Sequence, residues 1–153
     1  MVEDFESYTD DEGNRIYEMW IDGWGIPTNG DYHLKSQAGR WDAVGENWVI
    51  DGSTSLCIDT GDPASDWMAE LWPHGKQINM GAFGGTPQAS MSTSVVGNIA
   101  DLNNSNKVDF DDARLLVDKW LKQQTLLPED LDRNGSVNAK DFAAFARQWL
   151  WEQ

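Results

Sequence analysis

A repeat with an offset of 29 residues constrains this chain more than any other feature. DLNNSNKVDFDDARLLVDKWL, Asp101 to Leu121, lies over DLDRNGSVNAKDFAAFARQWL, Asp130 to Leu150. Matched or closely replaced pairs are Asp101 with Asp130, Leu102 with Leu131, Asn103 with Asp132, Val108 with Val137, Asp112 with Asp141, Trp120 with Trp149 and Leu121 with Leu150. Polar and apolar positions are kept together, so the same supersecondary unit is expected twice. Each copy has a polar loop and then apolar residues at helical spacing: Ala113, Leu116, Val117, Trp120 and Leu121, then Phe142, Phe145, Ala146, Trp149 and Leu150. Helices of about a dozen residues are marginal alone. The spacing therefore predicts that the two stripes bury each other as one antiparallel pair, with the tryptophans as core.

The repeated loops carry oxygen at alternating positions. A calcium loop supplies ligands at positions 1, 3, 5, 7 through the backbone, 9 often through water, and 12, because Ca²⁺ takes six to eight hard ligands in a flexible cage. In the second loop these places hold Asp130, Asp132, Asn134, Ser136, Asn138 and Asp141; in the first they hold Asp101, Asn103, Ser105, Lys107, Asp109 and Asp112. Gly135 stands at position 6, where the chain turns through positive φ, and Asn106 replaces it in the first copy as the residue that visits that region most readily after glycine. Val137 at position 8 is the apolar residue expected to pair the two loops.

Each loop offers three carboxylates, Asp101, Asp109 and Asp112 or Asp130, Asp132 and Asp141. Their mutual repulsion, with no apolar content to offset it, predicts two calcium ions whose binding is coupled to folding. Ser105 is a weaker, neutral ligand, so the second site is expected to be the tighter. Asp, Asn and Ser also favour turns and helix N-caps, which is the competing reading of either loop alone. Asn103-Asn104-Ser105 and Asn134-Gly135-Ser136 match glycosylation acceptors, but a glycan inside a ligand loop would compete with the metal.

A calcium sensor of the EF-hand type carries a helix before each loop as well as after it. Here SVVGNIA precedes Asp101 and QQTLLPE, with Pro128, precedes Asp130, and neither extends far as a helix. Position 12 is Asp rather than the longer Glu. With the duplication, these departures make residues ~97–151, within a module of residues 97–153, resemble the type I dockerin module, a pair of calcium loop-helix (F-hand) repeats. The resemblance implies calcium-dependent docking on a cohesin-like domain that tethers a secreted polysaccharide-degrading or carbohydrate-binding protein. It also implies partner contacts at loop positions 10 and 11, here Phe110, Asp111, Ala139 and Lys140. These depart from the Ser-Thr pair common in scaffold systems and differ between copies, which argues against symmetric two-way docking. The competing reading is a module that only clamps its neighbour.

Residues 1–97 have another texture, with most of the glycines, four of the five prolines and six of the nine tryptophans, in short apolar runs between turn signals. DYHLKSQAGRWD, DGSTSLCIDTGDP and QINMGAFGG, within residues 31–96, resemble the C-terminal rungs of right-handed parallel β-helix proteins. VEDFESYTDDEGNRIYEMWIDGWG, within residues 1–30, resembles the opening strands of a laminin-G-like or carbohydrate-binding jelly roll. These resemblances imply a parent that is a glycoside hydrolase or polysaccharide lyase. Neither piece is long enough for a whole domain, so a truncated product of a larger protein is expected.

No active site is legible and no catalytic residue is assigned. Asp4, Glu6, Asp59 and Asp62 include possible paired carboxylates of a glycan-active hydrolase or lyase, but Asp59 to Pro63 reads better as a turn. Trp20, Trp24, Trp41, Trp48, Trp67 and Trp72 are candidates for stacking on polysaccharide, with core packing the competing role. The net charge of -15 argues against nucleic acid. No apolar run reaches the ~18 residues of a membrane span, and no signal-like start follows Met1. An extracellular or cell-surface protein is expected, its leader lying upstream. Lone Cys57 reads as a packed apolar residue. The fold class expected is mixed: an irregular, mostly β N-terminal segment and a C-terminal all-α pair of calcium loop-helix repeats.

Overall fold

The computed structural model describes residues 31–153. The expected jelly-roll strands of residues 1–30, with Asp4, Glu6, Trp20 and Trp24, lie outside the described residues. His33–Gln153 form one compact unit, with no break at the change of texture near residue 97.

Among the described residues, four regular elements punctuate a largely irregular stretch: β1 (Arg40–Asp42), β2 (Asn47–Val49), α1 (Phe110–Asp118) and α2 (Ala139–Arg147). The strands form an antiparallel hairpin in which Trp41 faces Trp48, their rings meeting edge to face at 5.4 Å. Aromatic cross-strand pairs of this kind hold short hairpins together. Around the hairpin, residues 31–96 are tied by scattered long-range backbone bonds: Asp51 N–H to Ser36 O, Met80 N–H to Cys57 O, and Met91 N–H to Gly39 O. Buried polar side chains close the rest. Asn79 donates to Ser90 O at 2.7 Å and accepts from Asp59 N–H, while Glu70 accepts the N–H groups of Asn79 and Gly85. A segment with so little regular structure satisfies its buried backbone through side chains instead.

In residues 97–153 the repeat in sequence is a repeat in backbone. Positive φ recurs at the same offset: Gly97 and Leu126, Asn104 and Arg133, Asn106 and Gly135, Leu121 and Leu150. The two copies also exchange equivalent bonds, as a two-fold arrangement requires. Val108 N–H donates to Trp151 O and Val137 N–H to Lys122 O; Leu150 N–H donates to Val108 O and Leu121 N–H to Val137 O. Val137 was expected to pair the loops directly. Its backbone is instead used by the tail that follows the other copy's helix.

Both helices start where Asp109 and Asn138 cap them, each in a capping box completed by Asp112 or Asp141. Both end after nine residues, before the tryptophan of the stripe. This corrects the expected stripe. Leu121 and Leu150 take φ of 63° and 64° to reach the reciprocal bonds, so Trp120, Leu121, Trp149 and Leu150 lie beyond the helix ends. Only Leu116 and Phe145 of the two stripes are buried, while Val117, Leu121, Phe142 and Leu150 are exposed. The core between the copies is Ala100, Val108, Leu116, Leu131, Val137 and Phe145, with Trp151 packed against it. Trp151, outside the repeat, takes the place expected of Trp120 and Trp149. Among the described residues no helix is long and apolar enough to cross a membrane.

Candidate metal centre

The two loops are built on one hydrogen-bond plan. The first side chain of each accepts two backbone N–H groups: Asp101 from Ser105 and Asn106, both at 2.9 Å, and Asp130 from Asn134 at 3.1 Å and Gly135 at 2.7 Å. The last side chain reaches back to positions 3 and 9. Asp112 accepts from Asn103 at 3.2 Å and Asp109 at 2.9 Å; Asp141 accepts from Asp132 at 3.1 Å and Asn138 at 2.8 Å. Position 3 accepts from position 5 in both loops, Asn103 from Ser105 and Asp132 from Asn134. Each loop is thus wrapped around its own oxygens, with the chain turning at the two positive-φ residues in between.

Asp101, Asp112, Asp130 and Asp141 are all buried, which is rare for carboxylates, and of these Asp130 has the Arg133 guanidinium near it. Burial pushes the Asp130 carboxyl above the ordinary carboxylate range. The N–H groups of Gly135 and Asn134 oppose that, and Asp141 and Asp132 add to it. Burial raises Asp112 as well, the N–H groups of Asp109 and Asn103 oppose that, and Asp101 adds to the rise. A cation among these oxygens would neutralise the repulsion.

The second loop fits such an ion best. Asp130, Asp132 and Asp141 bring ligand oxygens within 4.8 Å of one another, the one acidic group of that kind among the described residues. Asn134, the Ser136 carbonyl and Asn138 complete the oxygen set at the remaining positions. Ser136 Oγ and N–H both donate to Asn134, and Asn138 donates to the Ser136 carbonyl, so these three are already knit together. The first loop brings Asp101, Asn103, Ser105, the Lys107 carbonyl and Asp112 to matching places, but its three acids do not converge in this way. Asp109 caps α1 by accepting from Asp111 N–H, and position 3 is the neutral Asn103. Lys107 Nζ pairs with Glu152 at 3.0 Å on the surface.

Of the positions expected to meet a partner, Phe110, Asp111, Ala139 and Lys140 are all exposed at the helix starts. Phe110 lies edge to face with Trp149 at 5.0 Å and is 80% exposed. Together with Ala113, Phe142, Phe145 and Ala146 they line an apolar groove of about 380 Å³. Trp149, expected in the core, lines this groove instead because α2 ends at Arg147 before reaching it.

Asp59 is half-buried. Its carboxylate takes the Gly75 N–H at 2.8 Å and the Ser92 hydroxyl. Trp41 is buried and Trp48, Trp67 and Trp72 are half-buried, so among the described residues these rings mainly pack. Cys57 is half-buried and unpaired.

No protein-family model, curated protein or solved structure matches the chain.

Proposed function

We propose that residues 97–153 are a calcium-dependent protein-docking module of the dockerin kind, taking two Ca²⁺ ions and presenting the start and exposed face of α1 and α2 to a cohesin-like domain. The observation that carries the reading is the convergence of Asp130, Asp132 and Asp141 in a loop whose bonding plan recurs 29 residues earlier. Hard carboxylate and carbonyl oxygens in a 12-residue loop suit Ca²⁺ better than softer metals. In this reading the ions hold the loops, the loops cap the helices, and the helices carry Phe110, Asp111, Ala139 and Lys140 outward. The groove around Phe110 and Trp149 has the aromatic content of an interface centre. Its asymmetry, Phe110 against Ala139, gives the module one preferred orientation on a partner.

The parent activity in this proposal is extracellular polysaccharide breakdown, with this chain as the tether. Binding of the full chain to a panel of immobilised cohesin domains, in calcium and in chelator, tests it. Capture by at least one cohesin in calcium alone is expected. Equal capture in chelator would remove calcium from the account, and no capture by any cohesin class would remove the partner.

A further inference from the structure

The loop face of the repeat pair, opposite in role to the helix face, is already occupied. One strip of the chain, Trp72 to Lys76, crosses both loops. Arg133, at position 4 of the second loop, donates through Nη2 to the Trp72 carbonyl and through Nη1 to Met91 Sδ at 3.0 Å. Its guanidinium also lies 5.6 Å from the Trp48 ring. At position 4 of the first loop, Asn104 lines the same small cavity as His74, and two residues on, Asn106 accepts from Lys76 Nζ. Positions 4 have φ of 56° and 57°, which turns both side chains out of their loops and toward this strip.

The strip is itself fixed to the rest of residues 31–96. Pro73 O accepts Ser92 N–H at 2.9 Å, and Gly75 N–H donates to Asp59. A Cβ on Gly75 would meet the Asp59 carboxyl carbon at 2.5 Å, so glycine is required for the strip to pass. The contacts therefore run without a gap from the two loops, through Arg133 and Asn106, to the buried polar network of residues 59–92.

From this continuity we infer that the two calcium loops are the receptor for the chain's own Trp72–Lys76 strip, so that calcium binding and the docking of residues 31–96 stabilise each other. The inference rests on the calcium reading of the loops. Position 4 is not a ligand position, so its side chain is available for this second task. The backbone that aims it, however, is held by ligand residues: Asp130 accepts from Asn134 and Gly135 on the far side of Arg133, and Asp101 from Ser105 and Asn106 beyond Asn104. Losing the ions leaves a repelling pair of buried carboxylates in each loop, Asp101 with Asp112 and Asp130 with Asp141, and loosens the aim of both side chains. Linkage makes the effect reciprocal. The helix face stays open, so clamping the neighbour and docking a partner use different surfaces.

Amide exchange of the full chain, read residue by residue in calcium and in chelator, tests the inference. The Ser92 amide, which reports the strip through Pro73, is expected to exchange at least roughly tenfold faster in chelator, a coupling of ordinary size. Arg133→Met in calcium is expected to speed Ser92 similarly while the Phe145 amide in α2 stays protected. Lys76→Met, which touches only the first loop, gives the same reading should Arg133→Met lose its helices. An unchanged Ser92 rate in chelator, with α2 amides accelerated, would overturn the linkage and leave the calcium reading standing. Unchanged α2 amides in chelator would overturn both. An unchanged Ser92 rate in the folded variants would overturn the assigned contacts.

Discussion

Replacing Asp141 by alanine removes two contributions that the structure allows to be separated. The side chain is fully buried and accepts the N–H groups of Asp132 and Asn138 at 3.1 and 2.8 Å. Hydrogen bonds to a charged acceptor contribute about 1.5–3 kcal/mol each, and the cost of burying the acid offsets part of that. A net loss of about 2–4 kcal/mol is expected without calcium. Asp112→Ala removes the same pair of bonds from the first loop, at 3.2 and 2.9 Å, and the same capping box. In chelator, then, the two variants should lose equal stability to within about 0.5 kcal/mol.

If the loops take calcium as proposed, the ranking is expected to change. An ion held at a hundred times its dissociation constant adds about 2.7 kcal/mol, and each tenfold difference in affinity about 1.4 kcal/mol. Asp141 belongs to the loop whose three carboxylates converge, so Asp141→Ala should become the less stable variant by at least about 1.4 kcal/mol. Urea unfolding followed by circular dichroism, with and without calcium, measures all four values. Equal losses in calcium would refute the assignment of the tighter site. Unequal losses in chelator would refute the equivalence of the two bonding plans.

Other outcomes follow from single residues. Phe110→Ala should leave stability within about 0.5 kcal/mol, because the ring is exposed, yet weaken cohesin capture by about 2 kcal/mol as the centre of the groove; surface plasmon resonance and urea unfolding check the two halves. Gly135→Ala should cost about 1–2 kcal/mol in chemical denaturation from its φ of 84° alone, since nothing lies closer than 4.0 Å to the added carbon, and Gly135→Asn should recover much of it as Asn106 does in the other loop. Burial holds the His74 imidazole below its ordinary value of 6.5. The unfolded chain then binds the proton more readily, so stability should fall as pH drops below about 6.5, and His74→Asn should flatten that part of the profile; thermal unfolding between pH 7.5 and 5 measures it.

The loops were the legible part of the sequence. The bonding plan of Asp, Asn and Ser at alternating positions, with Gly135 or Asn106 at the turn, is a local requirement, and local requirements are written in adjacent residues. The helix starts were legible for the same reason, since Asp109 and Asn138 are both ligand-position residues and N-caps. Helix ends were not. Apolar spacing runs on through Trp120 and Trp149, but Leu121 and Leu150 are drawn into positive φ by bonds to Val137 and Val108, 16 and 42 residues away in the chain. That tertiary bond overrides the helical period and leaves the aromatic groove on the surface. The role of Arg133 was hidden for a similar reason: a long basic residue at a non-ligand position reads as solvated. Its Trp48, Trp72 and Met91 neighbours come from a segment with almost no periodic signal.

The central claim is that the two loops are calcium sites on which the helices depend. Calorimetric titration of the full, chelator-treated chain with calcium, with circular dichroism recorded at each step, tests it most directly. Two bound ions are predicted, the first to bind being the one lost in Asp141→Ala, with helical signal rising as they bind. An absence of binding heat together with an unchanged spectrum would contradict the account.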